Sequence, residues 1–413
     1  MPNSNPDRDL KIRTSVAMLC IGFAGIVVYY YWMGMFLEKT FPFNTLLNGP
    51  INRFGDFYGP FTNWTLTQFR EINYGLVYFP STYIFLDALS WISNGNPYTG
   101  FAIFETLFCV FMFFYVHSNT KINNSILQSI QNIIAFTIMS YPFLLTFATG
   151  NLEAMIFALL ASFLLLYQKG EFVKSVIPLG IAISMKAIPG VFLILLIADK
   201  KYKELLIIFL VIIVATIIPL IIFDGGFNTG IVDYFYRLTA SQDMYFDLMV
   251  IASSGNAFGH SLLNSLRMIF PSFPPVASIA TLYLSFVFIS MVAITFYLCK
   301  YESILWKRVM IIVSAICLFP MTSTDYKLIH FLLPLFLLIN HNDLSSEKRM
   351  NKIFLILITL ILVPKHYFYF HNNPFYNINN IANTLLMILI PMVIILDNPN
   401  IFKGKKLSLQ FPR

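Results

Sequence analysis

The chain has 413 residues, of which 57% are hydrophobic, 17% aromatic and 11% charged. A soluble domain carries roughly 25% charged residues, so this composition excludes an ordinary soluble protein and favours one that lies mostly in lipid. The net charge of +7 comes from basic residues spread over short loops, which indicates the orienting charges of a polytopic membrane protein and not a nucleic-acid surface.

Apolar runs recur along the whole chain and predict an all-α, polytopic membrane protein. The runs fall at residues 15–37, 76–92, 101–118, 131–148, 152–167, 175–198, 204–223, 275–299, 309–340, 353–370 and 381–397. A crossing needs roughly 20 apolar residues. The motif MKAIPG interrupts the run at 175–198, and PMTSTDYKL interrupts the run at 309–340. Each of these two runs is therefore predicted to form a short helical hairpin with a polar tip.

Basic clusters between the runs predict which helix ends face the cytoplasm. Besides the amino-terminal tail, they are Lys169/Lys174, Lys200/Lys201/Lys203, Lys300/Lys307/Arg308, Lys348/Arg349/Lys352 and Lys403/Lys405/Lys406. Positive residues concentrate on the cytoplasmic side, so all these clusters are expected there. The number of crossings between the amino-terminal tail and Lys169 must then be even. It is even only if the run at 76–92, which contains Pro80 and Asp87, is a juxtamembrane or re-entrant helix. About twelve crossings of a single membrane-embedded domain, residues 1–413, with both termini cytoplasmic, follow from this count.

The same count places the polar motifs GDFYG, TGNLE, MKAIP, NAFGHSL and TSTDYK on the outer face. The outer loops are predicted at 38–100 and 224–274. Eight basic residues remain on that side: Lys39, Arg53, Arg70, Lys186, Arg237, Arg267, Lys327 and Lys365. Ionisable groups within a membrane protein are costly and usually functional. Because the two hairpins are too short to cross, Lys186 and Lys327 are expected below the outer surface, in a cavity that opens outward.

This predicted cavity combines one prominent acid with several cations and many aromatic side chains. Cations suit the phosphate of a lipid-linked substrate, and apolar walls suit its lipid. A carboxylate opposite the phosphate can accept the proton of an incoming hydroxyl as a general base. Asp56, beside Gly55 where the backbone can approach closely, is the candidate for that base. The simpler interpretation is a turn acid, since Gly-Asp is common in turns.

The other candidates also have simpler interpretations. Lys186 either contacts the phosphate or snorkels from a helix end. Lys327 either contacts the phosphate or pairs with Asp325, and His260 is either a site residue or an ordinary loop histidine. Arg267, seven residues after His260 and on the same face of a short helix, either helps at the phosphate or anchors the interface. Supporting roles are predicted for Arg53, Tyr58, Asn151, Glu153 and Asp325.

Six motifs, in chain order, resemble those of a known family. They are GDFYG (55–59), YFPSTY (78–83), GNLEAM (150–155), MKAIPG (185–190), NAFGHSL (256–262) and FPMTSTDYKLIHFLLP (319–334). Together they resemble the GT-C type glycosyltransferases that use polyprenyl-phosphate sugars. The chain looks most similar to the bacterial polytopic α-mannosyltransferase-like family, which includes relatives of the phosphatidylinositol-mannoside mannosyltransferase.

The resemblance implies a GT-C fold, inversion at the sugar carbon and Asp56 as the catalytic base. It also implies that Lys186, His260 and Lys327 contact the donor phosphate, so that neither a metal nor another cofactor is needed. The stretch TSTDYK departs from the serine-tryptophan and paired histidines of many relatives, and Lys327 is expected to replace those histidines. The four cysteines show no CxxC spacing and predict no zinc site.

The favoured hypothesis is a hexosyltransferase of the cytoplasmic (inner) membrane. It moves a hexose, with mannose the first choice, from a polyprenyl-phosphate donor to a hydroxyl of a lipid or glycan acceptor on the extracytoplasmic face. Membrane lipids are the other expected partners, and no nucleic acid is expected. A transporter or flippase of lipid-linked sugars is one alternative, since both broken runs contain a lysine and a proline. A polymerase or ligase of lipid-linked glycans is another, because the segment 224–274 is long.

Overall fold

A computed structural model describes residues 6–38, 54–63, 78–121, 125–222, 226–247, 259–270, 274–365 and 378–398. Throughout these ranges the regular secondary structure is helical, apart from an isolated antiparallel bridge between Gly259 and Thr324. The α-helices are α1 (Pro6–Met35), α2 (Gly55–Asn63), α3 (Pro80–Ile92), α4 (Pro97–Thr120), α5 (Ile126–Phe136), α6 (Tyr141–Thr149), α7 (Glu153–Gln168), α8 (Phe172–Met185), α9 (Leu193–Ala198), α10 (Tyr202–Ile222), α11 (Gly226–Tyr245), α12 (Leu262–Ile269), α13 (Val276–Lys300), α14 (Leu305–Leu318), α15 (Leu332–Ile339), α16 (Lys348–Leu362) and α17 (Ile378–Leu396). The predicted all-α class is confirmed for these ranges.

The helices group into two compact units. The first unit comprises residues 1–49, 112–145 and 255–413, and the second comprises residues 50–111 and 146–254. In the first unit, α1 packs against α5 and α16, and α14 packs against α15 and α17. In the second unit, α8 packs against α7 and α10, and α3 lies on α8 and α10. The single domain expected over residues 1–413 stays a prediction.

Five helices in the described residues are long and apolar enough to cross a membrane: α1, α4, α10, the part of α13 from Ser278 to Lys300, and α17. Only 17% of an apolar stretch of α10, and 6% of an apolar stretch of α13, is buried inside the protein. Helices that are apolar on all sides and yet exposed are expected where a surface meets lipid. The chain is therefore a polytopic membrane protein, but the predicted count of about twelve crossings is not confirmed.

Both runs predicted to be interrupted by a polar motif contain a break in the helix, whereas the reversal of the chain that a hairpin requires stays a prediction. After α8 ends at Met185, the chain continues as a short 3-10 helix, Ile188–Phe192, and then as α9. After α14, a 3-10 helix at Asp325–Phe331 leads into α15. Pro189 and Pro320 lie at the two breaks, where the missing N–H and the fixed φ of proline prevent a continuous α-helix.

The run at 131–148 differs from its prediction as an unbroken helix. It consists of α5 and α6, which are bent by 69° at the break between them. Pro142 lies at the second position of α6, where its fixed φ favours a new helix start and its ring opposes continuation of α5. The pair is either one broken span, a sixth candidate, or a re-entrant segment.

Two observations agree with the prediction that the run at 76–92 does not cross the membrane. α3 has 13 residues and is therefore about 20 Å long, well short of the ~30 Å hydrocarbon core. In the first unit, the Arg8 guanidinium donates to the carbonyls of Lys121 at 2.8 Å and Asn119 at 2.9 Å. The start of α1 and the end of α4 thus lie at the same end of this unit, which requires an even number of crossings between them.

Candidate functional site

The motifs GDFYG and TGNLE, far apart in the chain, meet in the second unit. The N–H of Phe54 donates to the carbonyl of Ala148 at 2.9 Å, and α2 begins at the next residue, Gly55. Gly150 has a φ of +66°, and a Cβ added to it would lie 2.8 Å from the Cβ of Phe57. Both the positive φ and the close approach require glycine at this crossing.

Asn151 connects the two motifs through its side-chain amide. Its Nδ2 donates to Oδ2 of Asp56 at 2.7 Å, and its Oδ1 accepts the N–H of Glu153 at 2.8 Å. The second bond ties the amide to the first turn of α7, so that Nδ2 is directed at the carboxylate. Asp56 lies in the first turn of α2, where the helix dipole favours a negative charge.

The environment of Asp56 suits a proton acceptor. Burial raises the pKa of the Asp56 carboxyl above its ordinary value, while the hydrogen bond from Asn151 and the positive charge of Lys186 lower it. A general base is most effective when its pKa approaches the working pH. The raised pKa therefore makes Asp56 a better base than a fully solvated aspartate.

Lys186 lies at the polar tip of the first broken helix, immediately after α8. Its backbone is extended, with φ −157° and ψ 131°, and its ammonium group forms an ion pair with Glu153. The Glu153 side chain is 3% exposed and that of Lys186 is 30% exposed. The lysine therefore neutralises a buried acid and keeps part of its own surface accessible. Asp56, Asn151, Glu153 and Lys186 are hereafter the Asp56 cluster.

Tyr58 belongs to the aromatic packing of α2. Its ring centroid lies 6.0 Å from that of Phe54, 5.4 Å from that of Tyr98 and 5.8 Å from that of Phe101. These contacts hold α2 against the start of α4 and so help to fix the helix that carries Asp56. A direct supporting role of Tyr58 at the site stays a prediction.

A second polar cluster is centred on His260 in the first unit. Nδ1 of His260 lies 2.8 Å from Oδ1 of Asp325, and both side chains are fully buried. The other carboxylate oxygen of Asp325 accepts from Nδ2 of Asn379 at 2.7 Å and from the Tyr141 hydroxyl at 3.1 Å. Oγ of Ser323 lies 3.1 Å from Nε2 of His260. These five residues are hereafter the His260 cluster.

The protonation of this cluster follows from its partners. Burial lowers the pKa of His260, and the charges of Lys327 and Lys365 lower it further, against the opposing effect of Asp325. A neutral imidazole has one N–H, and the neighbouring carboxylate assigns it to Nδ1. Nε2 then accepts the hydroxyl hydrogen of Ser323.

Ser323, His260 and Asp325 are hydrogen-bonded in the same order as the three residues of a nucleophilic triad. Their burial excludes attack on a substrate by the serine. Ser323 is 1% exposed and His260 is 0% exposed, so a substrate does not reach the hydroxyl. The backbone N–H of His260 also donates to the carbonyl of Ser323 at 2.9 Å. The cluster therefore holds residues 259–261 against residues 323–325.

The other predicted cations are near this cluster or outside the described ranges. Lys327 lies in the 3-10 helix that follows α14 and is 6% exposed, and its charge acts on His260. Arg267 lies in the last turn of α12, but His260 precedes that helix, so the prediction that the two share a helix face is wrong. Arg53 lies outside the described residues. Asp56 and Lys186 belong to the second unit, whereas Lys327 and Arg267 belong to the first. Convergence of the two sets in one cavity stays a prediction.

The hydrogen-bond partners of Asp325 and His260 were not predicted from the sequence. Asn379, Asn380 and Asn383 are all 0% exposed at the start of α17. Residues four apart share a helix face, and Nδ2 of Asn383 donates to Oδ1 of Asn379 at 3.1 Å. The available signal was the stretch INNIANT (378–384), which places three amides at the start of an otherwise apolar run.

Long apolar helices together with polar clusters at broken helix ends define the class of a polytopic membrane protein with a buried polar site. A family model described as glycosyltransferase family 87 matches residues 76–322. This match covers more than half of the 413 residues, so the chain belongs to glycosyltransferase family 87, a GT-C-like family of membrane glycosyltransferases. A search of curated proteins and a search of solved structures each found no match.

The matched range contains Asn151, Glu153, Lys186 and His260, whereas Asp56 precedes it and Lys327 follows it. The prediction is thus confirmed as far as a GT-C-like family of membrane glycosyltransferases, and the use of polyprenyl-phosphate sugars stays a prediction. The finer resemblance to mannosyltransferases stays a prediction.

Proposed function

We propose that this membrane glycosyltransferase transfers a hexose, mannose in the first instance, from a polyprenyl-phosphate donor to a hydroxyl of a lipid or glycan acceptor. The reaction takes place on the extracytoplasmic face of the inner membrane. The observation that carries the proposal is the Asp56 cluster. In it, Asn151 orients the carboxylate of Asp56, while Lys186 forms its ion pair with Glu153.

The proposed reaction is a single displacement at the sugar carbon. The Asp56 carboxylate accepts the proton of the acceptor hydroxyl as the acceptor oxygen forms its bond to the anomeric carbon. The bond between that carbon and the phosphate oxygen breaks on the opposite side, and polyprenyl phosphate leaves with the bonding electrons. Attack and departure on opposite sides invert the configuration at this carbon. The proton on Asp56 then passes to solvent.

The cations of the site neutralise the charge that develops on the leaving phosphate. Lys186 is proposed as a direct contact, while the phosphate contacts expected for Lys327 and Arg267, which belong to the first unit, stay predictions. For His260, the buried and fully hydrogen-bonded ring supports a positioning role for the segment that carries Lys327. Metal is not needed in this scheme, and within the described ranges no group of three or more His, Cys, Asp or Glu side chains suits a metal ion.

The test is transfer by the purified protein. Labelled polyprenyl-phosphate mannose, polyprenyl-phosphate glucose and a nucleotide-activated mannose are each incubated with the protein and a membrane lipid extract, with and without a chelator. We expect a labelled, chelator-insensitive product from polyprenyl-phosphate mannose and none from the nucleotide sugar. Product from the nucleotide sugar alone would contradict the donor class, and preference for the glucose donor would contradict the hexose.

Membership of a glycosyltransferase family supports the enzyme over the transporter or flippase. A transporter moves the labelled donor across a vesicle membrane without forming a new glycoside. A polymerase or ligase forms a glycoside but requires a lipid-linked glycan as its acceptor. The nature of the product in the same assay therefore separates the three alternatives.

A further inference from the structure

A cavity of about 290 Å³ lies in the first unit, between the last turns of α4 and the first turns of α5. Its polar lining consists of His117 in α4, Lys121 directly after α4, Ser125 at the N-cap of α5 and Ser129 in α5. Residues four apart on a helix share one face, so each helix end contributes a pair of polar side chains. None of the four belongs to the Asp56 cluster or the His260 cluster.

The polar side of this cavity suits an anion. Its lining, as far as the structure describes it, contains a lysine and a histidine and no carboxylate. Nδ1 of His117 is buried without a hydrogen-bond partner in the described ranges, and a buried polar atom of this kind points to an unseen partner. The His117 ring is held in place by stacking on Phe113, with centroids 6.2 Å apart and planes 6° apart. Ser125 is the N-cap of α5, so the positive end of that helix dipole also faces this region.

The apolar side of the cavity is open and hydrophobic. Phe113, Ile126 and Ile130 line it and are 46%, 77% and 45% exposed. α4 is a candidate membrane span that ends at Thr120, so Lys121 lies where the hydrocarbon core gives way to head groups. The hydrogen bond from the Arg8 guanidinium to the Lys121 carbonyl, at 2.8 Å, fixes this end of the helix.

We infer that this cavity binds an anionic phospholipid of the surrounding bilayer. The lipid phosphate accepts hydrogen bonds from Lys121, His117 and the Ser125 hydroxyl, while the Ser129 hydroxyl donates to the Ser125 carbonyl at 3.3 Å. The acyl chains lie along the exposed phenylalanine and isoleucines. A zwitterionic lipid brings an amine that finds no carboxylate in the described lining, so the site favours head groups with a net negative charge. The charge count of the loops places this end of α4 on the cytoplasmic side, and the lipid therefore comes from the inner leaflet.

The test is native mass spectrometry of the purified full chain, titrated separately with phosphatidylglycerol and phosphatidylcholine. We expect preferential retention of phosphatidylglycerol. Lys121→Gln should weaken that retention about fivefold, the effect expected for one basic residue near a membrane surface. Lys174→Gln is the matched control, because it removes the same charge from a lysine in the first turn of α8 whose side chain is 73% exposed. It should leave retention unchanged.

His117→Phe tests the buried nitrogen separately, since it keeps an aromatic ring against Phe113 and removes the polar atoms. It should also weaken phosphatidylglycerol retention, and its elution in size-exclusion chromatography reports whether the fold survives. Equal retention of both lipids, or equal behaviour of Lys121→Gln and Lys174→Gln, would overturn the proposal. So would equally tight binding of soluble glycerol phosphate, because the site would then recognise a free phosphate and not a lipid.

Discussion

Asn151 contributes to the candidate site by orienting and stabilising the Asp56 carboxylate. Its amide donates to Asp56 and is itself fixed by the N–H of Glu153. A hydrogen bond to a charged group contributes about 1.5–3 kcal/mol. We expect Asn151→Ala to slow transfer about tenfold or more at neutral pH, because the carboxylate loses both its orientation and part of its stabilisation.

The pH dependence of transfer should also change in Asn151→Ala, and the direction of the change can be predicted. Asp56 acts as a base only when deprotonated, so transfer rises with pH through the pKa of Asp56. The hydrogen bond from Asn151 lowers the pKa of Asp56, and burial raises it. The pKa of Asp56 is therefore higher when this hydrogen bond is removed. The rising limb of the kcat/KM profile should therefore move to higher pH in Asn151→Ala. Ser162→Ala, which alters only a hydrogen bond within α7, should leave the limb in place, and an unmoved limb in Asn151→Ala would contradict the assignment.

Candidate residues were recognisable from the sequence, but the pairing of their side chains was not. Asp56 and Lys186 are recognisable because acids and lysines are rare in apolar surroundings. The partner of Asp56 lies 95 residues away in the chain, and the partner of Lys186 lies 33 residues away. Only the fold decides that Lys186 neutralises Glu153, and a sequence pattern does not contain that information.

Among the secondary-structure elements, α2 packs closely against Gly150, and this contact determines the position of Asp56. Gly150 and Gly170 both have a positive φ, of +66° and +77°. A Cβ on Gly150 meets Phe57 at 2.8 Å, whereas a Cβ on Gly170 meets nothing within 4 Å. Alanine at either position costs about 1 kcal/mol or more for the backbone conformation, but only Gly150→Ala also displaces α2.

We therefore expect Gly170→Ala to lower the melting temperature modestly and to keep transfer near normal. Gly150→Ala should lower the melting temperature further and reduce transfer strongly, because Asp56 moves away from Asn151. Thermal unfolding and transfer assays on both variants make the comparison. Equal loss of transfer in the two would show that this contact does not position the base.

Helix breaks were predictable where a polar motif surrounds a proline. The breaks at Pro189 and Pro320 follow from the motifs MKAIPG and PMTSTDYKL. The bend between α5 and α6 was missed because Pro142 lies in a stretch that is otherwise apolar and long enough for a span. Hydropathy measures whether a segment prefers lipid, and it does not record where the helix axis turns.

For the whole molecule, loop charges predict an orientation that labelling can test. In a background without native cysteines, Tyr98→Cys marks the start of α4 and Lys169→Cys marks the loop between α7 and α8. A membrane-impermeant maleimide should label Tyr98→Cys in intact right-side-out vesicles, and Lys169→Cys only after permeabilisation. With the amino terminus cytoplasmic, a crossing at 76–92 would give the opposite result, in which Lys169→Cys is labelled from the outside and Tyr98→Cys only after permeabilisation. That result would contradict the prediction that this run does not cross.

The class of the molecule was predictable from composition, but the number of crossings was not. Charge counting fixes only whether successive loops lie on the same side. α7 and α8 contain 16 and 14 residues, about 24 and 21 Å of helix, less than a full hydrocarbon core. Helices of this length are compatible with either short spans or re-entrant segments, so parity alone does not fix their number.

The proposed reaction depends on the Asp56 carboxylate, which accepts the proton of the acceptor hydroxyl, and the turnover of Asp56→Asn tests this step. Asparagine has nearly the same shape but does not accept that proton, and general base catalysis contributes about 10²–10⁴-fold to rate. We predict at least a hundredfold loss of turnover on a polyprenyl-phosphate sugar, with an unchanged melting temperature. Turnover close to that of the native chain would contradict the account.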